Sequence, residues 1–566
     1  MDKDQYFIFS FYFNISLANN TDNPTFNWAE ITPSRSLQWH PCYSTQHDCA
    51  RLDVPMDWQD PSDDKRVVLA IIRLRASNLS DYRGPVFFNP GGPGGSGIWS
   101  MLDHGEDLQT IIGQNHDLVT FDPRGVGNSV PRIECWKHAQ DRALWELQDI
   151  GVLDAYPGLI YDAYARAQVI SRVCESNEDL AGKDGILAHS STVYHARDML
   201  EILEQMGETG LKYWGFSYGT VLGGIFAALW PQKVERMVND GNVDYQEWYT
   251  GAYLNFLRDT DKVMSSFYHF CHLAGPLRCA FYSETPSLIE TRLTSLLEKI
   301  RLSPIPIEYN ISPSTPQLIT YTSLKLMLST SLYQPVLRFP PVAEVLAALE
   351  ARNATPYYLY TTSDNPSLPN NNPLCFPETV VPPSTPLSIP QEATPDAFAA
   401  IMCSDALLDT LSPQEFEEYH QTLQNISHIS GSVQVNFRLS CVGREIRPKW
   451  RKPKTLFDEK KKTRFPILFV NNIGDNVTPL VSARRNSELF EKSVVLVQEG
   501  YGHTSLAAGS RCMAEKVRGY FQEGKVTGEG RCGGMLPFGV EEGEGGGEDE
   551  LGMVVGRLVG RWRGVF

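Results

Sequence analysis

No run of apolar residues in this 566-residue chain approaches the length needed to cross a bilayer, so a membrane is not expected as a partner. Basic residues are short as well. Lys and Arg total 50 against 67 Asp and Glu, a net charge of −17 that argues against nucleic acid or an anionic membrane surface as the main partner. Part of that excess sits in the tail cluster Glu541, Glu542, Glu544, Glu548, Asp549 and Glu550, so it says little about the charge of a substrate. None of the eleven cysteines forms a Cys-x-x-Cys unit with a second such unit or a His pair downstream, which argues against zinc, and no metal is expected. The glycine run Asn89-Pro90-Gly91-Gly92-Pro93-Gly94-Gly95-Ser96-Gly97 lacks the Lys-Ser/Thr of a nucleotide loop and fits Gly-x-Gly-x-x-Gly poorly, so no cofactor is expected either. A clear secretory leader is also missing: Lys3 precedes an apolar run, Tyr6 to Phe13, that is short and has no small-x-small cleavage site.

Cysteines and glycosylation acceptors nevertheless point outward. Cys42/Cys49, Cys271/Cys279 and Cys512/Cys532 are spaced as short disulfide-closed loops, which form in an oxidising compartment. An odd total leaves at least one cysteine unpaired within a monomer. Asn-x-Ser/Thr occurs at Asn14, Asn19, Asn78, Asn310, Asn353, Asn425 and Asn476, and such acceptors matter only in a secreted glycoprotein. Together they predict an extracellular protein.

The chain is organised around Lys212-Tyr213-Trp214-Gly215-Phe216-Ser217-Tyr218-Gly219-Thr220, a buried strand that breaks at Gly-x-Ser-x-Gly and continues into the apolar helix Val221 to Leu229. Strand, sharp turn and helix in that order are the context of the nucleophile elbow in α/β-hydrolases. The glycines two residues either side of the serine avoid collision with the neighbouring strand or helix. A serine hydroxyl is thereby lifted above the sheet at a helix N-terminus, where backbone N–H groups favour developing negative charge. The upstream glycine run is then the loop that supplies a second N–H to an oxyanion, with Gly92 and Tyr218 as the expected donors.

Length alone implies two packed units or one core with a large insertion. Val67 to Leu74, Pro85 to Phe88, Asp117 to Asp122 and Val234 to Gly241 read as strands, and their alternation with helices such as His195 to Leu203 predicts a mostly parallel sheet. Asp122 and Arg124, just past one strand end, are expected to form a structural ion pair under the site, since a bidentate Arg–carboxylate contact holds geometry well. From about 250 to 450 the pattern turns helical and proline-rich, as an insertion over the sheet's C-terminal edge. Strands return at Phe465 to Asn472 and Ser493 to Val497. The expected division is an N-terminal segment 1–35, a first core part 36–250, a helical cap 251–455, a second core part 456–537 and a Gly/Glu-rich disordered tail 538–566, in which Leu551 to Phe566 supports a loose helix at most.

Beyond the two returning strands lie Gly474-Asp475-Asn476-Val477-Thr478-Pro479 and Gly500-Tyr501-Gly502-His503-Thr504-Ser505. Ser217, Asp475 and His503 thus follow three strand ends in the order serine, acid, histidine. His503 would accept the Ser217 proton as the hydroxyl attacks a carbonyl, and Asp475 would orient the imidazole. Asp240, also at a strand end, is the rival acid. A glycan on Asn476 would block this site, so that acceptor is not expected to be used.

These residues carry a family resemblance. Asn89 to Gly97, Asp122-Pro123-Arg124-Gly125-Val126-Gly127-Asn128-Ser129, Tyr213 to Thr220, Asp475 to Pro479 and Gly502-His503 together resemble the proline iminopeptidase and tripeptidyl aminopeptidase group of α/β-hydrolase serine peptidases, more closely its secreted tripeptidyl aminopeptidase branch. The resemblance implies an α/β-hydrolase fold with a helical cap, acting on peptides near a free N-terminus; a monomer is expected. Acidic cap side chains that bind the substrate amine in such relatives match no motif in this cap, and residues 300–400 depart most from the pattern. Two further readings stay open: an esterase or amidase acting on a small metabolite through the same triad, and a catalytically silent hydrolase fold used for binding.

Overall fold

In the computed structural model, residues 26–561 are described except 179, 183, 309–310, 312–316, 364–380, 389, 407–410, 527–529 and 541–548. The N-terminal run, Asn14, Asn19, Asn310 and Cys375 therefore lie outside the described residues. Among the described residues ten of twelve strands form one sheet: β1 (His40–Cys42), β2 (Ser44–Pro55), β3 (Arg66–Leu74), β4 (Val86–Asn89), β5 (Leu118–Phe121), β6 (Leu211–Phe216), β7 (Val234–Asp240), β10 (Leu468–Gly474), β11 (Val494–Tyr501) and β12 (Gly530–Gly533). β8 (Ile305–Ile307) and β9 (Gln317–Ile319) make a separate antiparallel ribbon. The large sheet runs β1-β2-β3-β5-β4-β6-β7-β10-β11-β12. Its first three strands, and the β3/β5 pair, are antiparallel; from β5 onward every neighbour is parallel.

Burial follows from that topology. β4, β5 and β6 are buried at every residue, as expected for parallel strands covered on both faces. Side-chain alternation sends Val67, Leu69 and Ile71 of β3 into the core that holds the helices Thr192–Gln205 and Tyr218–Leu229, and Ala70, Ile72 and Leu74 into the opposite core under the helices Gly97–Ile112 and Arg511–Glu523. No helix among the described residues is long and apolar enough to cross a membrane.

Between β7 and β10 the described residues are mostly helical apart from the β8/β9 ribbon, and Thr260–Ala274, Pro286–Leu302 and Pro335–Glu350 share a core of their own. The insertion does not stand alone. The helix Leu159–Glu175, which lies between β5 and β6, packs Ile160, Ala163 and Tyr164 against Phe416, Tyr419 and Leu423 of the helix Pro413–Ile426. The helical layer is thus built from two stretches of sequence. Among the described residues five disulfides close it and the core: Cys42–Cys49, Cys271–Cys279 and Cys512–Cys532, as the spacing suggests, and the longer-range Cys135–Cys174 and Cys403–Cys441.

Two expectations need correction. Arg124 does not pair with Asp122. The chain turns at Pro123, so the buried guanidinium reaches Asp198 on the helix Thr192–Gln205, with Nε to Oδ2 at 2.7 Å and Nη2 to Oδ1 at 2.6 Å. Asp122 faces the other way and accepts from Ser96 Oγ, Ile98 N and Asn128 N. Nor is the whole tail 538–566 disordered, because Glu550–Arg561 forms a helix docked on the core. Its apolar residues at 551, 554, 555, 558 and 559 fall on one face, which overrides the weakening effect of three glycines, of which Gly556 and Gly560 are exposed.

Candidate active site

The elbow is built as its glycines require. A Cβ on Gly215 would run into the Gly219 carbonyl, and one on Gly219 would come within 2.6 Å of Asn89 O. Ser217 itself sits at φ 54° and ψ −121°, a backbone conformation that L-residues rarely adopt and that persists only where the surroundings impose it. Its N–H donates to Asp240 O (3.0 Å), and its carbonyl accepts from Thr220 N and Thr220 Oγ1. Tyr218 opens the following helix, so its N–H is one of the donors that no preceding turn can satisfy.

The glycine loop lies directly on the serine. Gly91, at φ 100°, is so close that a Cβ there would stand 2.5 Å from Phe216 O and 2.9 Å from Ser217 Cβ. Gly92 follows at φ 106°, with the loop anchored by Gly91 N donating to Asn89 Oδ1 (3.0 Å). A strip from the helical layer clamps its far side: Ser96 N donates to Glu392 O, Thr394 N to Gly94 O, and Gly127 N to Thr394 Oγ1. Beneath, burial raises the Asp122 carboxyl to about 6, against the lowering effect of the N–H and O–H donors aimed at it.

Asp475 follows β10 and is fully buried. Its Oδ1 accepts from Val477 N (3.1 Å) and Thr478 N (2.9 Å), and its Oδ2 from Thr478 Oγ1 (2.7 Å) and Thr504 N (3.0 Å). His503 Nδ1–H donates to this carboxylate, 3.0 Å from each oxygen. Thr478 Oγ1 lies 3.0 Å from the same nitrogen, a contact that no motif in the sequence announces. The imidazole is held from the helical layer too: Tyr333 O accepts from His503 N (2.9 Å), and the two rings meet edge to face at 5.7 Å.

The loop after β11 then folds back across the sheet toward the serine. Asn472 Nδ2 donates to Gly502 O and Thr504 O, while Gly241, just past β7, sits against Thr504. Ser505 N and Oγ donate to Asp240 Oδ1 and Oδ2 at 2.8 and 2.5 Å. One residue, Asp240, therefore touches both sides: its carbonyl holds Ser217 N and its carboxylate holds the histidine loop. Burial raises the Asp240 carboxyl to about 6, partly offset by the Ser505 hydrogen bonds. As an acid for the imidazole it is already engaged elsewhere, whereas Asp475 faces Nδ1. Asn476 is buried, so a glycan has no access to it; Asn78, Asn353 and Asn425 are exposed.

An elbow serine, a glycine loop against it and a carboxylate–imidazole pair beyond neighbouring strand ends are the parts of an α/β-hydrolase fold, and the family model described as alpha/beta hydrolase fold matches residues 84–273. Residues 427–532 match the family model described as TAP-like protein. Serine protease Hip1 of Mycobacterium tuberculosis is 36% identical over 225 residues, 38% of this chain and 41% of that protein. Tripeptidyl aminopeptidase of Streptomyces lividans is 32% identical over 216 residues, 37% of this chain and 38% of the relative. The matched stretch thus spans about two-fifths of these relatives. Putative hydrolase YuaR of Escherichia coli is 23% identical over 522 residues, 90% of this chain and 92% of its own length.

Proposed function

We propose that this protein is a serine exopeptidase that cleaves peptide bonds near a free N-terminus, with Ser217, Asp475 and His503 as its triad. The observation that carries the reading is the Asp475 carboxylate, saturated by four protein donors and presented to His503 Nδ1 at 3.0 Å from both oxygens. A carboxylate fixed that way holds the imidazole in the tautomer whose Nε2 can accept a proton.

In this reading Ser217 Oγ attacks the scissile carbonyl carbon as its proton passes to His503 Nε2. The carbonyl oxygen, now anionic, is stabilised by Tyr218 N–H at the helix N-terminus and by Gly92 N–H. Collapse breaks the C–N bond, and the imidazolium gives its proton to the leaving amine. Water, deprotonated by His503, then attacks the acyl-enzyme, and the serine leaves with its proton restored. The two-part helical layer limits how much peptide enters, which favours release of short N-terminal fragments. The curated relatives named as protease and tripeptidyl aminopeptidase support the substrate class. Five disulfides and three exposed Asn-x-Ser/Thr sites favour an extracellular glycoprotein.

Mass spectrometry of products from matched peptides, N-terminally free or acetylated, tests this. Tripeptides or single residues released only from the free peptides are expected. Equal cleavage of acetylated peptides, or hydrolysis of simple acyl esters alone, refutes the exopeptidase reading.

A further inference from the structure

The C-terminal helix Glu550–Arg561 packs against the helices Gly97–Ile112 and Arg511–Glu523, the helix Pro335–Glu350 of the helical layer, and the short 3-10 turn Ser505–Ala508 that follows His503. Asp549 caps its start by accepting from Gly552 N, and Arg511 Nη2 pairs with the same carboxylate at 2.8 Å. Midway along, Arg557 Nη2 reaches Asp107 Oδ1 at 2.6 Å. Gly509, just past that turn, lies close against the helix: a Cβ there would stand 2.6 Å from both Val555 Cγ1 and Val559 Cγ2. Val555 and Leu558 also close a small cavity whose other walls include Trp214, Leu506 and Ser505.

We infer that this helix is a positioning element for the proposed reaction: it presses the segment 505–509 onto the sheet and so sets the loop that carries His503. The route is short and polar at its far end. Leu506 and Gly509 lie under the helix; Ser505 is hydrogen-bonded to Asp240; Asp240 O accepts from Ser217 N. Without Val555, Leu558 and Val559 the turn loses its outer wall, and Gln498, which donates to Ser505 O, remains as a side-chain restraint on that face. The inference rests on the triad assigned above.

The test compares the full chain with one ending at Val540. Serines are titrated with a fluorophosphonate, kcat per titrated serine and KM are measured on a peptide substrate, and hydrogen exchange is followed for the amides of 502–509. The truncated chain is expected to keep KM, lose tenfold or more in kcat per titrated serine, and exchange faster at 502–509. A synthetic peptide of residues 549–561 is expected to restore both. Unchanged kcat per titrated serine with unchanged exchange overturns the inference. Should the truncated chain not fold, the full-length double variant Val555→Ala/Val559→Ala decides. It is expected to lose threefold or more in kcat at full titration, and wild-type kcat with wild-type exchange overturns the inference. If the intact chain is not labelled at Ser217, the triad reading fails, and the exchange data alone still decide whether the helix holds the loop.

Discussion

Exchanging the two rival acids separates their roles. In Asp475→Asn the amide oxygen can still accept from Val477 N and Thr478 N, but the NH2 group faces His503 Nδ1 and competes for the orientation that now brings two carboxylate oxygens within 3.0 Å. The imidazole is then driven toward the tautomer with its proton on Nε2, which cannot accept from Ser217. In a serine protease triad the same change lowers kcat by roughly 10⁴-fold, about 5.5 kcal/mol of transition-state stabilisation, and a loss of that order is expected here with KM little changed. Asp240→Asn is the control. Its carbonyl bond to Ser217 N is backbone and survives, its amide oxygen can still accept from Ser505 N, and Ser505 Oγ can turn to accept instead of donate. A loss below about tenfold is therefore expected, since no charge beside the imidazole Nδ1 is removed. The assay is steady-state kinetics on one peptide amide with serine titration, so that misfolded protein is not counted. An Asp475→Asn enzyme within tenfold of wild type, or an Asp240→Asn enzyme as impaired as Asp475→Asn, refutes the assignment of the acid.

Three further outcomes follow from the same geometry. Thr478→Val removes a hydroxyl that donates to Asp475 at 2.7 Å; a hydrogen bond to a charged group contributes about 1.5–3 kcal/mol, so kcat is expected to fall roughly 10- to 150-fold with KM unchanged, and Thr478→Ser to recover most of it. Gly91→Ala places a methyl 2.5 Å from Phe216 O at a φ of 100°, and is expected to cost more than about 1 kcal/mol in stability and most of the activity, read by thermal melting and kinetics; a wild-type-like variant refutes the tight loop contact. Burial raises Asp122 and Asp240 to about 6, so the folded chain binds protons that the unfolded chain releases near 3.8. Their contribution is full below about pH 4 and is lost as pH rises through about 6. A shift of two pH units is worth about 3 kcal/mol per group at most, and Asp240→Asn is expected to flatten the fall in stability between pH 4 and 6 measured by denaturant unfolding.

Much of this site is legible in the sequence because its parts sit at strand ends, where short motifs fix the backbone. Gly-x-Ser-x-Gly points to Ser217, and the strands before Asp475 and His503 are plain in their apolar runs, Ile467 to Val470 and Val494 to Val497. Thr478 escapes notice because threonine three residues after an aspartate is also an ordinary turn residue; only the fold brings the histidine to it. Tyr333 and the strip 392–394 come from the proline-rich stretch whose docking no local periodicity reveals. The Asp122–Arg124 expectation fails because nearness in sequence is a poor guide past a turn, where the two side chains leave on opposite sides. The tail helix is a different case. Its apolar residues at 551, 554, 555, 558 and 559 keep helical spacing, but the Gly/Glu composition around them masks the signal.

The central claim is that Ser217 is a nucleophile activated by His503. Labelling the purified full-length chain with a fluorophosphonate at neutral pH, and mapping the adduct by peptide mass spectrometry, tests it most directly. The account predicts one adduct per chain, on Ser217, abolished in Ser217→Ala and slowed at least 100-fold in His503→Ala. Absence of an adduct on folded protein, or labelling of Ser217 at an undiminished rate in His503→Ala, contradicts it.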